Sequence, residues 1–240
     1  MKSFLFKSLS SIASFAIAIS SAFAGTNEVN TAALAKPRDE GWLKRHDAFV
    51  KKIREDRVEL LFLGDSITEG WTGSGKAVWE QNYAQRRAAH FGAPGERTQN
   101  LLWRVQHGEA EGIAPKAVVL LIGTANTFKP ANTPAEISDG IQAIVKELRA
   151  RLPETKVLVL AIWPRSEKDD AVRAQIVEVN AQVAKLDDGK QVRFLDLGPR
   201  FLEADGSLRK DLLPDMLHPN AKGYQVWAEA MAPTLDELMK

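Results

Sequence analysis

Short apolar stretches alternating with amphipathic ones constrain this chain more than any other feature. Residues 58–63, 117–122, 157–162 and 192–197 are apolar-rich; the first ends at Gly64, the second at Gly123 and the third at Trp163-Pro164. Ala117-Val118-Val119-Leu120-Leu121-Ile122 has no polar position on either face, as expected of a parallel strand covered on both sides. Between these stretches the spacing predicts helices over 77–88, 98–110, 134–152, 168–187 and 220–239. Trp42, Phe49, Val50 and Ile53 define an earlier amphipathic helix. Thr133 followed by Pro134 is a helix start, and Asn220 is the expected cap of the last helix. Strand–helix alternation of this kind predicts an α/β fold, a three-layer α/β/α sandwich around a central, mostly parallel sheet. Sites in such sheets form beyond the carboxyl ends of the strands, here around Gly64 and Gly123.

With 240 residues, 45% hydrophobic, the chain is long enough for one domain with a sizeable core. Formal net charge is +1, which favours neither nucleic acid nor an anionic membrane. Lys2 and Lys7, an apolar stretch near 12–19 and Ala22-Phe23-Ala24 together predict a secretory signal peptide over 1–24, cleaved after Ala24. Residues 25–36, small and polar without periodicity, are expected to form a flexible leader, and 37–240 a single domain. Localisation is therefore expected to be secreted or periplasmic, with no membrane contact once the signal is removed. The chain has no cysteine, so neither a disulfide nor a lipidated N-terminal cysteine is available.

Ser66 stands just beyond the first apolar run, in Gly64-Asp65-Ser66-Ile67-Thr68. Its hydroxyl can be a nucleophile or a helix cap, and these five residues alone do not choose between them. Of four histidines, only His218 has a carboxylate three residues earlier inside a proline-bounded turn, Asp215-Met216-Leu217-His218-Pro219. Asp215 could hold the Nδ1 proton of His218 and leave Nε2 free to take the Ser66 proton. His46 is expected to be solvated on the first helix. His90 and His107 are expected to be structural. Arg97 and Arg104 are expected to tether loops through carboxylates.

These segments, with two more, resemble the SGNH (GDSL) esterase and lipase family, in particular its platelet-activating-factor acetylhydrolase-like branch of secreted bacterial esterases. Gly64-Asp65-Ser66-Ile67 resembles the block that carries the nucleophile. Residues 91–98, with Gly95 before Glu96, resemble the second block; Ile122-Gly123-Thr124-Ala125-Asn126-Thr127 resembles the third, and 215–219 the last. The resemblance implies a flavodoxin-like fold with a five-stranded sheet, and a serine esterase that needs no cofactor and no metal. Ser66 would be the nucleophile, His218 the base and Asp215 its orienter. The oxyanion hole would use the N–H groups of Ser66 and Gly95. By the same resemblance the substrate would be a small-molecule or glycan ester, with a short acyl group such as acetyl. A lysophospholipase or thioesterase is the alternative.

Two positions depart from the family pattern. The third block normally supplies an asparagine side chain to the oxyanion, and here Ala125 occupies that place. Losing one such donor costs about 2.7–4 kcal/mol of transition-state stabilisation. Asn126 either turns inward to replace it or caps its own loop. Pro94 stands where the branch usually has glycine, stiffening the loop without removing the Gly95 N–H. Trp163, beyond the third apolar run, either walls a substrate pocket or covers the sheet as core. Ala125 also admits a catalytically impaired relative that only binds carbohydrate or lipid. A near P-loop, Gly70 to Ala77, lacks the hydroxyl residue needed after Lys76 and does not open from a strand.

Overall fold

Leu60–Gly64 (β1) is apolar at every position and lies in the middle of the molecule, so its backbone groups need partners on both edges. They find them in Ala88–Gly92 (β2) on one side and Ala117–Leu121 (β3) on the other, both parallel. Lys156–Leu160 (β4) and Val192–Leu195 (β5) extend the sheet beyond β3, giving the order β2-β1-β3-β4-β5. The computed structural model describes Met1 and residues 29–240. The expected signal peptide therefore lies almost wholly outside the described residues.

Seven helices accompany the strands among the described residues: α1 (Glu40–Glu55), α2 (Ser66–Glu69), α3 (Lys76–Asn82), α4 (Thr98–Arg104), α5 (Pro134–Arg151), α6 (Ala171–Val183) and α7 (Ala221–Leu238). The strands alternate their side chains between two cores. Leu61, Leu63, Val118 and Leu120 pack with Ile53 of α1, Leu101 of α4, Ile141 of α5 and Ile176 of α6. Leu60, Phe62, Val119 and Leu121 pack with Val78 of α3 and with Tyr224, Trp227 and Met231 of α7. The fold is the three-layer α/β/α sandwich with a parallel five-stranded sheet.

Several boundaries differ from the sequence reading. The helix expected over 77–88 ends at Asn82, because Arg87 takes a left-handed turn (φ 49°) and residues 88–92 are drawn into the sheet beside β1. The helix expected over 98–110 keeps α-geometry to Arg104 and then widens, breaking at His107 and Gly108, where φ reaches 119°. Of the expected flexible leader, residues 25–28 lie outside the described residues, and residues 30–36 make contacts with the domain. Thr31–Ala33 form a 3-10 turn capped by Asn30, Ala32 is fully buried, and its carbonyl accepts from the Thr98 hydroxyl at 2.8 Å.

The sheet order reverses direction at β1: one crossover leads outward to β2, the next to β3 on the other side. The crevice at the carboxyl ends of β1 and β3 is the place this topology reserves for a site. Ser66 leaves β1 there, and Gly123 leaves β3.

Candidate active site

Asp65, rather than Ser66, caps α2: its Oδ1 accepts from the Ile67 amide at 3.0 Å. That leaves the Ser66 hydroxyl at the first helical position with no capping duty. The turn can sit so close to the sheet because Gly92 has no side chain; a Cβ there would stand 2.0 Å from the Glu69 nitrogen. From the far end of the chain, the Tyr224 hydroxyl donates to the Ile67 carbonyl at 2.6 Å and ties α7 to the same turn.

The Ser66 Oγ lies 3.0 Å from His218 Nε2. On the other side of the ring, Nδ1 is 2.7 Å from Asp215 Oδ2. The second oxygen of Asp215 accepts from the backbone amides of Leu217 at 3.0 Å and His218 at 2.7 Å. Burial alone would raise the Asp215 pKa, but the ring and those two amides outweigh it and hold the carboxyl below its ordinary range. An ionised Asp215 fixes the proton on Nδ1, so Nε2 presents a lone pair to the hydroxyl. A hydroxyl, an imidazole and a carboxylate in this line can pass a proton to nitrogen as the oxygen attacks a carbonyl carbon.

Asp65 is a different kind of carboxyl. Full burial pushes its pKa up to about 7, against the Ile67 amide, while the nearby Glu96 adds to the rise and His218 opposes it. Gly95 follows β2 with φ +66°, and the space where its Cβ would stand is open. Arg104 secures this loop. Its guanidinium donates to Glu96 through Nε at 2.8 Å and through Nη2, to both oxygens of Glu109 at 2.7 and 2.6 Å, and to the Phe91 carbonyl at 3.0 Å. Burial disfavours the charge on Arg104, yet the two carboxylates overcome it and raise the pKa. Arg104 thus tethers through carboxylates, as expected, whereas Arg97 donates to the carbonyls of Pro130 and Phe128.

Asn126 is not drawn into the site. It is fully buried; its Oδ1 accepts from the Thr98 amide at 2.9 Å, and its Nδ2 donates toward Thr98, Gln99 and Asn132. Those partners lock the third block to the start of α4, and Ala125 remains without a substitute from its neighbour. Trp163 is likewise core: it is 2% exposed and stacked on Phe201 with ring centres 4.5 Å apart, so it walls no pocket. His46, expected in solvent, is buried, with Nδ1 3.2 Å from Glu109 and Nε2 2.8 Å from the His107 carbonyl. Its helical neighbours Trp42 and Phe49 were the available signal, since they mark the face of α1 that turns inward.

Residues 62–226 match the GDSL-like Lipase/Acylhydrolase family. The chain is a member of that family. It is 34% identical over 188 residues to platelet-activating factor acetylhydrolase IB subunit alpha2 of Rattus norvegicus, covering 78% of this chain and 80% of that protein. The human subunit alpha1 is 32% identical over 202 residues, 84% of this chain and 85% of that one. Among solved structures, a GDSL-like lipase from Bacteroides thetaiotaomicron superposes with a TM-score of 0.67 at 17% identity, over 81% of this chain and 97% of that one; it shares the fold. As a GDSL acylhydrolase, the protein is a hydrolase of ester bonds.

Proposed function

We propose that this acylhydrolase removes short acyl groups, acetyl first among them, from an O-acylated carbohydrate outside the cytoplasm. Ser66 attacks the ester carbonyl, His218 takes its proton and then gives it to the departing alkoxide, and Asp215 keeps the ring in the productive tautomer. The oxyanion is held by the N–H groups of Ser66 and Gly95. Water, activated by the same imidazole, then releases the acyl group from Ser66. The observation that carries this reading is the unbroken line from Ser66 Oγ through His218 to Asp215, with links of 3.0 and 2.7 Å.

The carbohydrate half of the reading is supported by the openness of the line: the His218 side chain is 41% exposed and Asp215 54%. A bulky hydrophilic alcohol can approach such a site without being enclosed. A lipid ester is the second reading, favoured by the acetylhydrolase named among the relatives. An acyl series of nitrophenyl esters tests the acyl preference, with acetate expected to turn over fastest; best turnover at eight carbons or more would overturn it. Acetylated xylan fragments against acetylated lysophospholipid then separate the two alcohols. Export rests on the pattern over residues 1–24, and N-terminal sequencing of exported protein is expected to begin at Gly25.

A further inference from the structure

We propose that Arg38, on the segment that precedes the matched family domain, is a positioning residue that strengthens the Gly95 N–H as an oxyanion donor. The proposal rests on the esterase reading above. Its Nη1 donates to the carbonyl of Pro94 at 2.7 Å. The Pro94 carbonyl and the Gly95 N–H belong to one planar peptide group, pointing in opposite directions. A cation bonded to the oxygen of a peptide withdraws charge from it and makes its N–H a better donor on the opposite face. It also fixes the plane, so the donor needs no reorganisation when negative charge develops before it.

Other contacts hold Arg38 and the loop in register. Asp39, which follows Arg38, caps α1 by accepting from the Trp42 amide at 3.0 Å, so the start of the helix anchors the arginine. Asp39 lies 3.9 Å from the Arg38 guanidinium, a looser contact than the one to Pro94. One turn on, the Trp42 indole N–H donates to Glu96 at 2.9 Å. Glu96 is the residue after Gly95 and is itself gripped by Arg104. The Gly95 peptide is therefore held from Pro94 by Arg38 and from Glu96 by Trp42 and Arg104. Both Arg38 and Trp42 lie before residue 62, where the family match begins. With Ala125 unable to donate, more of the oxyanion charge falls on Gly95, and this support matters correspondingly more.

The Arg38 side chain is 33% exposed, so solvent screening limits its effect. In the full chain, Arg38→Ala is expected to lower kcat on nitrophenyl acetate about 3- to 10-fold with KM little changed. Affinity for a trifluoromethyl ketone, which forms the tetrahedral oxyanion, should fall in parallel. Arg38→Lys, which keeps the cation, should recover part of the loss. Trp42→Phe, which keeps an aromatic ring but loses the indole N–H to Glu96 and some bulk, should lower kcat in the same direction. Lys44→Ala, which removes only a solvent-side pair with Glu40, should match wild type in all of these. An active wild type whose Arg38→Ala variant has the same kcat and the same ketone affinity would overturn the proposal alone. Raised KM with unchanged kcat would overturn it too, by assigning Arg38 to substrate binding. A wild type that neither hydrolyses the ester nor reacts with a fluorophosphonate would overturn the esterase reading beneath it.

Discussion

At the scale of single residues, Ala125 is the position where this chain differs most consequentially from its family's pattern. Asn126 does not compensate, since its amide is spent on Thr98, Gln99 and Asn132 inside the protein. An oxyanion hole of two backbone donors should work below its attainable rate. Ala125→Asn is accordingly predicted to raise kcat by about 10-fold or more on nitrophenyl acetate, short of the full value of a donor because the new side chain must find its own rotamer. Steady-state kinetics of the two proteins decide it; an unchanged or lower kcat means that another group already fills the gap. Ser66, His218 and Asp215 were legible because each is tied to a local pattern: a residue after an apolar run, and a pair three apart before proline. Glu96, Arg104 and Glu109 form a buried ion network whose partners were only partly legible. Arg104 and Glu109 are near in sequence, but nothing local announces that both point into the core.

At the scale of elements, β2 shows what the sequence withholds. Ala88-Ala89-His90-Phe91-Gly92 is weakly apolar, and the helical pattern expected over 77–88 runs into its first residue. Pairing with β1 decides otherwise, a tertiary effect that no window of neighbours contains. β3, and β4 beyond Lys156, are apolar on both faces and needed no such help. Placing His90 in the sheet has a measurable consequence. Burial, helped by Lys52, lowers its pKa from the ordinary 6.5 to about 4. Between those values the unfolded chain binds a proton that the folded chain refuses, so this residue costs stability as pH falls, by up to about 1.4 kcal/mol per pH unit. Asp65, raised from 3.8 to about 7, acts in the opposite sense, costing stability as pH rises through that range. His90→Phe removes the first slope and leaves the second. Urea titrations at pH 4.5 and 6.5 should therefore show the variant gaining stability at the lower pH relative to wild type. Parallel pH profiles would contradict a His90 ring kept uncharged by its partial burial.

At the scale of the whole molecule, the site is assembled from segments far apart in the chain. The Ser66–His218 contact spans 152 positions, and the Tyr224–Ile67 bond that steadies it spans 157. The fold makes this possible by reversing its strand order at β1, which opens a crevice where the first strand, the third strand and the turn before α7 come together. The residues before α1 join the same assembly: Ala32 is buried against α4, and Arg38 reaches Pro94. The core of the fold was legible as alternation, and the family as ordered blocks. The docking of residues 30–38 was not, because small polar residues carry no period. Catalysis by Ser66, His218 and Asp215 requires above all a covalent acyl group on Ser66 during turnover. Protein quenched in acid while hydrolysing nitrophenyl acetate, then digested and weighed peptide by peptide, is predicted to carry one acetyl group on the peptide containing Ser66, absent from Ser66→Ala. Turnover in the Ser66→Ala protein, or an acetyl group found only elsewhere in an active wild type, would contradict it.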